Sequence, residues 1–136
     1  MASKSDYLEN LILDHVMSDG AFAEPANVYI ALTTATPTDA STGATLTEAN
    51  YTGYARKEIL ATDLSAAASG SKTNSAAITF AACTAGSSTI IGFAICDSGT
   101  TGAGNVLYWG TVTSKVIDTS NTPPTIAIGA LVITED

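Results

Sequence analysis

Residues 89–118 constrain the fold more than any other stretch of the chain. Thr89 to Asp97 reads TIIGFAICD, with apolar side chains on both alternating faces. A strand of that kind is covered on two sides, so it belongs near the middle of a sheet. The glycine-rich run Ser98 to Asn105, SGTTGAGN, is a hairpin loop by its chemistry. Val106 to Thr113, VLYWGTVT, then returns beside the first strand, and Lys115 to Asp118 forms a short extension. A long antiparallel hairpin of this sort commits the chain to a mainly β architecture.

The rest of the chain supplies one helix and more short strands. Leu8, Leu11, Ile12 and Val16 fall at i, i+3, i+4 and i+8, which predicts an amphipathic helix over about residues 4–17. Ser3 or Ser5 is placed to cap it, and Asp6-x-x-Glu9 has the spacing of a capping box. Ser18-Asp19-Gly20 ends it, with Gly20 free to take a left-handed cap. Val28, Ile30 and Leu32 alternate along a buried strand that stops at a Thr36-Pro37-Thr38-Asp39 turn. A long polar loop follows, from Ala40 to about Gly53. Arg56 to Leu64 reads as a second strand, Ser65 to Asn74 as a connection, and Ala76 to Ala81 as a short strand. Asn121 to Pro124 is a turn, and Thr125 to Thr134, TIAIGALVIT, is a closing strand with a bulge expected at Gly129. Short strands punctuated by turns after a single helix predict an antiparallel β-sandwich or flattened barrel with one N-terminal α-helix. At 136 residues the chain suits a single domain spanning 1–136.

Composition narrows the class of function. Charged residues make up only 13%, and Thr, Ser, Ala and Gly take their place, as suits a chain packed in an assembly. The formal net charge of −8 repels phosphate backbones and anionic lipid, so neither nucleic acid nor a membrane surface is an expected partner. No apolar run approaches the ~20 residues of a membrane span. The opening MASKSDYLEN has no apolar signal core, which predicts assembly in the cytoplasm.

No constellation for catalysis emerges. His15 is the sole histidine and sits near the helix end, where a capping or surface role fits it. Asp6, Glu9, Asp14, Asp19 and Glu24 lack the alternation of a calcium loop. Cys83 and Cys96 match no zinc or redox spacing and read as buried free thiols. Tyr51, Tyr54, Tyr108 and Trp109 fit either a sugar-stacking platform or core and interface anchors. The expectation is therefore no enzyme, no cofactor and no metal, with a candidate interface on the helix at Leu8, Leu11, Ile12 and Val16. That face either seals the end of its own sandwich or meets a neighbouring subunit.

Several stretches carry a resemblance in their order along the chain. SDYLENLILDHV is similar to a helix of the form YLE-N-x-L-L-D-H, and VYIALTTATPTDASTG to a strand of the form VYVALxTxxPTDAxTG. GYAR, IIGFAICD, GNVLYWGTVTSK and IAIGALVIT extend the match. Together they resemble a family of small virion proteins of tailed bacteriophages, described variously as tail-fibre, head-fibre or decoration components. The Ala/Ser/Thr-rich stretch Ser65 to Ser88 departs from the pattern. The resemblance implies a structural β-sandwich without catalytic residues, located in the virion. It also implies association with the major capsid protein or another virion protein, and self-association, with a trimer as the working number. A capsid decoration protein that stabilises the assembled shell is the leading expectation. A tail, neck or fibre component is the alternative, and a carbohydrate-binding adhesin a further one.

Overall fold

A computed structural model describes residues 2–18 and 20–135. In chain order the elements are β1 (Ser3–Lys4), α1 (Asp6–Val16), β2 (Val28–Thr33), β3 (Lys57–Ile59), a 3-10 turn (Ala61–Asp63), β4 (Ser71–Thr73) and β5 (Ile78–Thr79). β6 (Ser87–Cys96), β7 (Val106–Asp118), β8 (Thr125–Ile126) and β9 (Val132–Thr134) follow. Five strands form an antiparallel sheet in the order β1-β7-β6-β2-β3, and β4-β9 and β5-β8 make two small ribbons.

The expected hairpin is the spine of the sheet. β6 lies between β7 and β2, pairing Ile30 with Ile95 and Leu32 with Phe93 on one side and Ile95 with Tyr108 on the other. Its alternation sorts the side chains. Ile30, Leu32, Phe93, Ile95 and Leu107 face a large core that also holds Ile78, Phe80 and Leu131 from the ribbon side. Ala31, Ala94, Cys96 and Val106 face the opposite way, under Leu46 of the long loop. β1 and β3 end the five-stranded sheet, and an isolated bridge from Ala2 to Ile133 ties the β1 end to the β4-β9 ribbon. Each fully buried branched side chain, such as Ile30 at 0% exposure, contributes about 1.5–3 kcal/mol.

Several elements differ from the sequence expectation. β3 stops at Ile59 instead of running to Leu64, because the Leu60 N–H donates to Asp63 Oδ2 at 3.0 Å and closes a 3-10 turn. The Ser65–Asn74 connection contains β4, which pairs with β9 from Ser71↔Thr134 to Thr73↔Val132. The closing strand is two strands. Gly129 has φ +74° and Ala130 N–H bonds to Ala127 O at 3.0 Å, so the chain turns there instead of bulging. Asn74, almost fully buried, fixes that turn by donating to Ala127 O at 2.8 Å and accepting from the Leu131 N–H at 2.9 Å. Lys115 to Asp118 is continuous with β7, giving one 13-residue strand.

The long loop after the Pro37 turn folds back over its own sheet. Thr33 bridges Glu48, Thr42 bridges Asn105, and the Ala49 N–H bonds to Leu32 O at 2.9 Å. Leu46 of this loop packs on the face formed by Ala31, Ala94, Cys96 and Val106.

Candidate interface and the buried clasp

The helix starts where the sheet holds it. Ser5 is fully buried, its Oγ donating to Val106 O and accepting from the Leu8 N–H at 3.3 Å. Ser5 is therefore the cap, and its partner three residues on is Leu8, so Asp6 and Glu9 form no capping box. Ser3 lies in β1. At the other end Ser18 takes the left-handed conformation, with φ 65°. Gly20 donates its N–H to Asp14 O at 3.2 Å. Asp19, the middle of the expected stop, lies outside the described residues. His15 is exposed, and its Nδ1 accepts from the Phe22 N–H at 3.2 Å, tying the linker to the last turn.

The predicted stripe divides. Leu8 is buried in the sandwich core, Ile12 packs against it, and Leu11 is half-buried. Val16 is 68% exposed. At about 100° per residue Val16 sits about 80° round from Leu8, and the divergence places it off the sheet. Leu13 and Met17, absent from the predicted stripe, share its side at 59% and 74% exposed. The helix thus has one seam sealing its own core and a second apolar face open to the outside.

A buried ion pair lies across the loops. Arg56, the only arginine, and Glu48 have side chains 0% and 3% exposed, with Nη2 to Oε1 at 2.7 Å. Arg56 Nε reaches both carboxylate oxygens at 3.2 Å. Its Nη1 donates to Ser98 O at 2.6 Å and Ala103 O at 2.9 Å. The Tyr54 hydroxyl donates to Glu48 Oε2 at 2.8 Å. One guanidinium thereby joins the long loop, the segment entering β3 and the hairpin loop between β6 and β7. Burial opposes its charge, but Glu48, Cys96 and Tyr54 together outweigh that and hold the pKa above the usual arginine value. Burial, then the bond to Glu48, pushes the Tyr54 hydroxyl well up. All of these groups are engaged with one another, so the arrangement acts as a clasp. The signal in the sequence was a lone arginine among few cations, beside a long loop with a nearby glutamate.

The aromatics do not assemble into one platform. Tyr51 is buried and meets Tyr54 edge-to-face at 5.6 Å and 69°. Tyr108 and Trp109 are consecutive in β7 and point to opposite faces, Tyr108 to the larger core and Trp109 to the smaller. Trp109 Nε1 donates to Asp39 Oδ1 at 3.1 Å and Lys4 O at 3.2 Å. Lys4 Nζ pairs with Glu135 Oε2 at 2.5 Å, and Glu135 also accepts from the Tyr108 hydroxyl. The two ends of the described chain are thus fastened beside β7. Cys83 and Cys96 are free and buried, as expected, and burial pushes the Cys96 thiol up to about 11. Two grooves of about 410 and 430 Å³ are lined mainly by apolar side chains, the first between β7 and the β8–β9 segment. Among the described residues, no group of three His, Cys, Asp or Glu is placed to hold a metal, and no helix is long and apolar enough to cross a membrane.

A family model described as "Podophage GP4 fiber I protein gp80" matches residues 3–134, from β1 to the end of β9. The chain belongs to this family. No curated protein matches it. The gp80 match spans the helix, the clasp and both ribbons, including the Ser65–Ser88 stretch where the sequence resemblance broke off. Members of a tailed-phage fibre family are virion structural proteins, and this chain is accordingly a component of the virion. The resemblance carried by SDYLENLILDHV, GYAR and the later strands pointed to the right class.

Proposed function

We propose that the chain is a structural unit of the phage fibre assembly that works by docking to other virion proteins and catalyses no reaction. The support is the clasp and its setting. The most buried charges, Glu48 and Arg56, are spent on joining loops, while the outward features are an apolar helix face and two apolar grooves. A surface of that kind suits binding. The family's description as a fibre protein favours the fibre over other sites in the particle.

Placement on the capsid shell, as a decoration protein stabilising assembled capsomers, is the second reading. It draws support from the compact sandwich, which carries no fibrous repeat. Association into a homo-oligomer, with a trimer as the working number, accompanies either placement. Quantitative mass spectrometry of purified particles separates them. A few to a few dozen copies support the fibre, and hundreds support the shell. Absence of the chain from purified particles would sink both.

A further inference from the structure

The outer face of α1 carries an apolar patch with carboxylates at one end. Leu13, Val16 and Met17 lie within about a 100° sector of the helix, and each is more than half exposed. Three large apolar side chains within five residues form a patch, not a scatter of single exposed residues. The same sector carries Asp6 and Glu9 toward the helix start. These carboxylates complement the helix dipole, so alone they require no partner. The surrounding sequence gives them more weight. Asp14, Asp19 and Glu24 follow, and from Ser5 to Ala55 there is no Lys or Arg. Lys4, the cation preceding this stretch, is paired with Glu135.

This charge distribution decides between occupants. Two copies meeting through α1 would set one acidic helix face against another, and residues 5–55 supply no Lys or Arg to offset it. We infer that the outer face of α1 binds a different virion protein, in an apolar groove that carries Lys or Arg at the end facing Asp6 and Glu9. Leu13, Val16 and Met17 fill the groove and supply affinity; the carboxylates set orientation and salt dependence. The inference rests on the virion reading and adds the surface used and the character of its partner.

The test uses the full chain and particles of the same phage grown without this gene. Binding of purified wild-type protein, Val16→Ser/Met17→Ser and Asp6→Asn/Glu9→Gln is measured at about 0.05 M and about 0.3 M NaCl. The serine variant is expected to keep its thermal midpoint and to lose about tenfold or more in binding. The amide variant is expected to bind more weakly at low salt and to lose most of the salt dependence. A serine variant that unfolds at a lower temperature would itself contradict the assignment, since it would mean that these side chains support the fold. Wild-type binding by both variants overturns the inference while leaving the virion reading intact. No binding of the wild type to particles strikes the virion reading instead. A purified wild-type oligomer that the serine variant converts to monomers would assign this face to a second copy and overturn the partner's identity.

Discussion

Removing Arg56 is the sharpest perturbation of the fold. Arg56→Ala leaves the Glu48 carboxylate 3% exposed with only the Tyr54 hydroxyl and the Gly102 N–H, at 2.8 and 3.3 Å, as donors. It also leaves Ser98 O and Ala103 O without the guanidinium that bridges them. Breaking one side of a buried pair costs about 3–5 kcal/mol. For a chain of this length, that lowers the thermal midpoint by about 10–18 °C. Hydrogen exchange should locate the loss, with protection falling first at the Leu46–Tyr51 and Ser98–Asn105 loops. Glu48→Leu/Arg56→Met removes both charges and fills much of the space, so it should recover most of the single-variant loss. Thermal unfolding of all three proteins at pH 7 provides the comparison. A single variant within about 1 kcal/mol of wild type would refute the clasp. A double variant as unstable as Arg56→Ala would refute the charge-pair explanation of it.

Other outcomes follow from the same structure. Leu8→Ala should cost about 2–5 kcal/mol, because Leu8 plugs the core, and chemical denaturation checks it. Cys83 and Cys96 should resist a thiol reagent at pH 7 to 8 in the native protein and react fully in denaturant, since both are buried and the Cys96 thiol is pushed up to about 11. Burial acts to raise the Glu135 carboxyl, but Lys4 and Tyr108 outweigh it and hold the pKa below the usual 4.5. A depressed carboxyl pKa contributes stability above its unfolded value, and that contribution is lost as pH falls through the folded value. The stability gap between wild type and Glu135→Gln should therefore narrow as pH is lowered from 7 toward 3, and a gap that widens would reverse the sign.

The parts legible in the sequence are those with local, periodic causes. β6 and β7 declared themselves through alternation and a glycine-rich loop, and their pairing is what the hairpin pattern implies. The core-facing positions of α1 followed from spacing as far as Ile12. Val16 fitted the same spacing but is exposed, because eight residues carry it about 80° round the helix from Leu8. The break in TIAIGALVIT depends on Asn74, more than fifty residues earlier, whose buried amide holds the turn at Gly129. The clasp is likewise long-range: Arg56 meets backbone carbonyls more than forty residues away, and no local pattern encodes that contact. The helix stop was assigned to Gly20 on intrinsic preference, yet Ser18 takes the left-handed position one residue past the Met17 cap.

An electron-microscopy map of the intact particle tests the central claim most directly, because it gives position and orientation together. The expected map shows the chain within the fibre assembly, with Leu13, Val16 and Met17 of α1 pressed into a neighbouring protein and Lys or Arg of that neighbour opposite Asp6 and Glu9. A map in which the chain sits in the virion with α1 facing solvent would contradict the docking account.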